Sequence, residues 1–219
     1  MARETFHHEL DELIGNVLIM GSMVEKAISH AVDSFTNRSL ELAKQVVEGD
    51  DMIDKKRFEI EESCLRLIAT QQPMAVDLRI IISATHLATN LERMGDYASG
   101  IAEINLSLQA NSKLLALTDI ARMAKIGIDI LHASLKAFVD RDSNKAREIA
   151  LRDDEVDSLY HSVLSKCISA MVEDPKNVPV ATRIIWVAHK LERISDRVTN
   201  ICEQVIFAAT GAMEELDSD

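Results

Sequence analysis

Leu91-Glu92-Arg93-Met94-Gly95-Asp96 and Leu191-Glu192-Arg193-Ile194-Ser195-Asp196 spell one pattern, Leu-Glu-Arg-x-x-Asp, twice in a chain of 219 residues. The two copies stand 100 positions apart, and the register holds without a gap to Glu103 and Glu203. Upstream the offset becomes 103, pairing Phe35 with Phe138, Asp50 with Asp153, Asp54 with Asp157 and Cys64 with Cys167. The change falls in the turn before the third element of each half, where insertions cost little. A period this long marks a duplicated subdomain, not a solenoid. Whatever one half folds into, the other half must fold into as well.

Each half reads as three helices. Only 7 Gly and 3 Pro leave little material for turns, so the elements are long and few. Aromatics at 4% and little alternating patterning argue against a sheet. Leu10, Leu13, Val17, Met20, Val24, Ala27, Ile28 and Ala31 recur every three or four residues, which predicts a helix from Thr5 to Thr36. Ser39 is placed to cap a second helix running to Gln71, and Pro73 parts it from a third over Met74 to Gln109. In the second half Thr118 is read as the cap of a helix ending at Asp140, a fifth helix follows to Val172, and a sixth ends near Gly211. The expected architecture is all-α: two tandem, pseudo-symmetric three-helix bundles of six long antiparallel helices. They occupy residues 1–111 and 112–213, with 214–219 an acidic tail expected to lack order.

On a helical wheel Glu92, Asp96, Ser99 and Glu103 share one face, opposite Ile80, Ala84, Leu87, Leu91, Met94, Ala98 and Ile101. Glu192, Asp196, Thr199 and Glu203 repeat the arrangement with His189 at the edge, so the acids are expected as outward stripes. The preceding helices carry Asp50 and Asp54, and Asp153 and Asp157; antiparallel packing at 1.5 Å rise per residue would bring each pair level with a stripe. Like charges at i, i+4 cost about 0.2–0.5 kcal/mol per pair. Four such pairs, duplicated in register, are hard to read as solubility alone. The residues leave three readings open: a metal site, a face for a basic protein partner, or a solvated surface. An all-oxygen donor set suits magnesium, manganese or iron, and suits zinc less.

A net charge of −12 with no basic stripe argues against nucleic-acid binding. No stretch is long and apolar enough to insert in a membrane, and three cysteines without a CxxC motif fit a reducing, cytoplasmic setting. The matched Cys64 and Cys167 read as core positions, and His86, opposite Trp186 in the repeat, reads as packed. No phosphate loop, Ser-His-Asp set or Cys-His pair gives positive support for an enzyme; a metal-dependent enzyme or metal-storage bundle is the alternative.

Phe6-x-x-Glu9-Leu10-x-x-Leu13 with Met20-Gly21, Gln72-Pro73-x-Ala75-x-Asp77-Leu78-Arg79, and the two Leu-Glu-Arg-x-x-Asp segments, in this order and spacing, resemble the PhoU family over nearly the whole chain. The resemblance implies a cytoplasmic, non-enzymatic regulator of phosphate uptake, often a homodimer. Such a protein links the ATPase subunit of a phosphate ABC transporter to a membrane sensor histidine kinase and restrains the phosphate-starvation response when phosphate is plentiful. It also implies metal ions, iron or similar, on the acidic faces. By position the ligands would be Glu92 and Asp96 in one half and Glu192 and Asp196 in the other, supported by Asp50, Asp54, Asp153 and Asp157. Gly100 and Ser195 depart from the usual signature, which carries Asn and Gly there, so the two sites are expected to differ in affinity.

Overall fold

The computed structural model describes residues 2–108 and 116–216. The expected boundary at 111/112, and Gln109 as the end of the third helix, lie outside those residues. Among the described residues seven α-helices follow one another: α1 (Ala2–Thr36), α2 (Leu40–Gln71), α3 (Val76–Ser107), α4 (Leu117–Asp140), α5 (Ser143–Ala150), α6 (Asp153–Glu173) and α7 (Val178–Thr210). A 3-10 turn, Pro175–Asn177, precedes α7. Among the described residues no strand is present and no helix is long and apolar enough to cross a membrane.

The duplication is visible in the corners. Arg38 and Arg141 each take a left-handed conformation (φ 56° and 54°) after the first helix of their half. Ser39 N–H then reaches back to Ser34 O at 2.9 Å, and Asp142 N–H to Ala137 O at 2.9 Å. These six-to-one bonds satisfy the orphan carbonyls of the helix ends. The same two residues cap the next helix: Ser39 Oγ accepts from Leu42 N–H at 3.3 Å, Asp142 Oδ1 from Lys145 N–H at 2.9 Å. Ser39 is thus the expected cap. Thr118 is not: α4 begins after Ala116, which has a left-handed backbone and no side-chain cap.

The fifth expected helix is two helices. α5 ends at Ala150 and α6 starts at Asp153, with Arg152 N–H on Ile149 O and Glu155 N–H on Arg152 O. Asp153, Asp154 and Glu155 gather in the new first turn, where the positive end of the helix dipole favours them. The first half holds its acids in mid-helix, and α2 stays unbroken.

Helices α2, α3, α7 and α6 pack in that order as a layer, with α1 and α4, which touch each other, behind it. The α3–α7 seam joins the halves antiparallel: Ser83 Oγ donates to Gln204 O at 3.1 Å, Arg79 Nε to Ala208 O at 3.4 Å, and Arg183 to Ser107 Oγ. Buried apolar side chains from both repeats form one continuous cluster, including all seven inward positions of α3 named above. Cys64 and Cys167 are buried in it as expected. Truncating a fully buried Leu such as Leu87 or Leu91 to Ala costs about 2–5 kcal/mol.

The acidic tail is not loose over its described part. Glu214 pairs with Arg147, and Leu216 N–H donates to Glu203 Oε1 at 2.9 Å. Residues 217–219 lie outside the described range.

Candidate functional site

In the first half, the crease between α2 and α3 collects the acids. Gly95 sets how close the helices come: a Cβ there would lie 3.0 Å from Ile53 Cδ1 and 3.3 Å from Asp50 Oδ1. Burial, then the negative charges of Asp96 and Asp54, push the Asp50 carboxyl up to about 6, against a hydrogen bond from Ser99 that lowers it; Glu92 raises it further. Glu92 is raised too, by burial first and Asp96 next, while Arg93 and Arg57 pull it down. Asp50, Asp54, Glu92 and Asp96 therefore share one electrostatic neighbourhood. They are not a fully solvated stripe, since the Glu92 side chain is only 16% exposed while that of Asp96 is 42% exposed. Ser99, expected on the same outer face, is buried.

Arginines answer part of this charge. Arg57 Nη1 lies 2.8 Å from Glu61 Oε1 and its Nε 3.8 Å from Glu92 Oε1. Arg93 reaches Glu92 at 3.6 Å and Asp96 at 3.4 Å. Burial holds Asp50 high first, and the carboxylates that these arginines leave unanswered add to it.

In the second half, Asp153, Asp154, Asp157, Glu192 and Asp196 line one open groove of about 710 Å³, with Arg147, Arg193 and Leu216 on its walls. Arg193 bridges Glu192 at 3.1 Å and Asp196 at 2.9 Å. His189 Nδ1 stands 3.2 Å from Glu192 Oε2, and its ring lies 6.2 Å from that of Tyr160. Ser195 replaces Gly95; it is fully buried and its hydroxyl has no hydrogen-bond partner. Thr199, like Ser99, is buried.

The structure thus brings the eight expected acids together as two groups of four, one per half. Among the described residues no three His, Cys, Asp or Glu side chains already stand in coordination geometry. Sequence reasoning gave no role to Arg57, Arg93 and Arg193, although the last two stand inside the repeated motif at i, i+3 from its Asp; that spacing is the signal that finds them. It missed Arg147 and Glu214, which are 67 positions apart and pair only through the fold. His86, expected to be packed, is exposed, as is Trp186 at the matching position, and His86 lines a cleft with Phe207, Met213 and Glu214.

A family model described as the PhoU domain matches residues 17–104 and again 120–205. The phosphate-specific transport system accessory protein PhoU homolog of Clostridium acetobutylicum is 38% identical over 99% of this chain and all of its own length. The crystal structure of the phosphate transport system regulatory protein PhoU from Streptococcus pneumoniae superposes with a TM-score of 0.89 at 31% identity, covering 95% of this chain and 99% of that one. PhoU from Pseudomonas aeruginosa gives the same TM-score at 34% identity, over 94% of this chain and all of that structure.

Proposed function

The chain belongs to the PhoU family, and from that premise we propose that it is a non-enzymatic adaptor regulating phosphate uptake and phosphate signalling. What supports this reading is the full-length match, across both repeats, to relatives named as accessory proteins of the phosphate-specific transport system. In this reading the protein works in the cytoplasm, as a homodimer. It touches the ATPase subunit of a phosphate ABC transporter and a sensor histidine kinase, holding the kinase in its inactive signalling state when phosphate is plentiful. Deleting the gene is expected to leave phosphate-starvation genes constitutively on. Normal repression in the deletion strain overturns the reading.

The acidic creases support a metal-binding role within that function. Each half presents four carboxylates, an all-oxygen donor set suited to manganese, magnesium or iron, with zinc less suited. Glu92, Asp96, Asp50 and Asp54 would hold the ion in the first half, and Glu192, Asp196, Asp153 and Asp157 in the second. The gathering of four carboxylates in one crease is the observation that carries it: beyond burial, which raises Asp50 most, Asp96 and Asp54 repel its charge, and a cation there removes that repulsion. An ion must also draw the carboxylates away from Arg57, Arg93 and Arg193. Elemental analysis of protein purified without chelators tests this, with Glu92→Gln/Glu192→Gln as the control expected to lose metal.

A further inference from the structure

Gly211, with φ 83°, ends α7 and turns the chain back along the molecule, its N–H bonded to Phe207 O at 2.8 Å. The segment that follows is pinned at two points. Glu214 takes Arg147 in a bidentate clasp, Nη2 to Oε1 at 2.7 Å and Nε to Oε2 at 3.0 Å. Leu216 then bonds Glu203 through its N–H and packs against the core. Arg147 and Leu216 both line the groove that holds Asp153, Asp154, Asp157, Glu192 and Asp196.

This clasp has two physical consequences. Arg147 is the basic residue of the last turn of α5, an eight-residue helix held to the core through buried Ala146 and Ile149, so Glu214 adds a second anchor to an element too short to be stable alone. The clasp also occupies the guanidinium. Released, Arg147 would remain on the wall of a groove containing five carboxylates, within reach of its own-helix contacts Ser143 O (3.3 Å) and Asn144 Oδ1 (3.4 Å). A guanidinium with a choice of carboxylates pairs with one.

We propose that Gly211–Leu216 is a strap that fixes α5 and sequesters Arg147 from the second acidic groove, so that undocking the strap lets Arg147 neutralise that groove. The second half thereby carries a switch: anything that captures the C-terminal segment lowers the cation affinity of one groove only. The cation part of this inference rests on the metal-binding reading above; the strap itself does not.

Two measurements on the full chain test it. In hydrogen exchange, Glu214→Gln is expected to speed the α5 amides (Ser143–Ala150) at least about threefold and leave residues 40–47, their counterparts in α2, unchanged. Unchanged exchange in α5 overturns the strap. In a Glu92→Gln/Asp96→Asn background, which leaves only the second groove, Mn²⁺ titration should show Glu214→Gln binding roughly three- to tenfold more weakly. Adding Arg147→Gln should restore the affinity although α5 stays loose. A double variant as weak as Glu214→Gln alone overturns the sequestering role and leaves α5 anchoring as the strap's whole effect. If Mn²⁺ binds neither groove of the unaltered protein, the metal-binding reading fails, and the exchange result decides the strap alone.

Discussion

Asp50 sits part-buried where four carboxylates of α2 and α3 outnumber the arginines beside them, and its titration is raised by that burial first and by the neighbouring charges next. Its folded value of about 6 lies above the ordinary 3.8, so the folded state holds this proton more tightly than the unfolded one. The stability it contributes is full below about pH 4 and is lost as pH rises through 6. Asp50→Asn removes that loss. It should stabilise the metal-free protein by about 1 kcal/mol at pH 7.5, a value already reduced for solvent screening at a half-exposed group. It should also flatten the stability profile between pH 4 and 6; a chemical denaturation series across pH reads both. Gly95 acts on the same site through sterics. Gly95→Ser, which copies Ser195, puts its Cβ against Ile53 and Asp50, and should cost about 1–2 kcal/mol by urea unfolding, overpacking outweighing the gain in helix propensity. Gly100, whose departure from the family signature leads to the expectation of unequal affinity, also has a packing role. The Lys190 side chain lies across it from α7, over the Tyr97 ring, so a Cβ at Gly100 would collide with the lysine's flexible end. The acids were legible because the repeat gives them twice in register, and the i, i+3 spacing carried Arg93 and Arg193 as well; Arg57 was not legible, because it meets Glu92 only across two helices.

Five of the six helices expected from periodicity are continuous, and their limits follow residues whose chemistry is local: Ser39, Asp142, Pro73 and Gly211. The break inside the fifth was not legible. It falls at Leu151–Arg152 with neither Pro nor Gly, whereas the first repeat carries Gly49 at the position of Arg152 and remains helical. Three acids in a row after the break stabilise a new helix start there, a cumulative charge effect that no single residue announces. Helix crossings were equally hidden. α1 meets α4 where Gly21 receives the Leu135 side chain, which is buried there. Gly21→Ala is expected to cost about 1–3 kcal/mol by thermal unfolding, since Leu135 must leave a packed rotamer. Gly21→Ala with Leu135→Ala should be less destabilised than the two single changes added together, because the clash disappears with the leucine. Strict additivity would place the strain elsewhere.

At the scale of the whole molecule the two halves form one core but present two acidic sites, the α2–α3 crease and the groove of the second half, on a chain of net charge −12. Charge of this size destabilises the compact state through self-repulsion, so any salt should stabilise the protein somewhat by screening. A bound cation differs from screening in its concentration dependence. Mn²⁺ at a hundred times its dissociation constant should add about 2.7 kcal/mol per groove, roughly 5–10 °C in Tm for a chain of this length, at concentrations too low to change ionic strength. Glu92→Gln/Asp96→Asn should remove about half of that increment, and Glu192→Gln/Asp196→Asn the other half, while the gain from 0.5 M NaCl survives in both. Equal gains from Mn²⁺ and from NaCl at matched ionic strength would mean that the creases attract cations without holding them. Unequal halves would instead locate the difference in what the second groove alone has: the α6 helix start beneath Asp153, His189 beside Glu192, and the strap across its end.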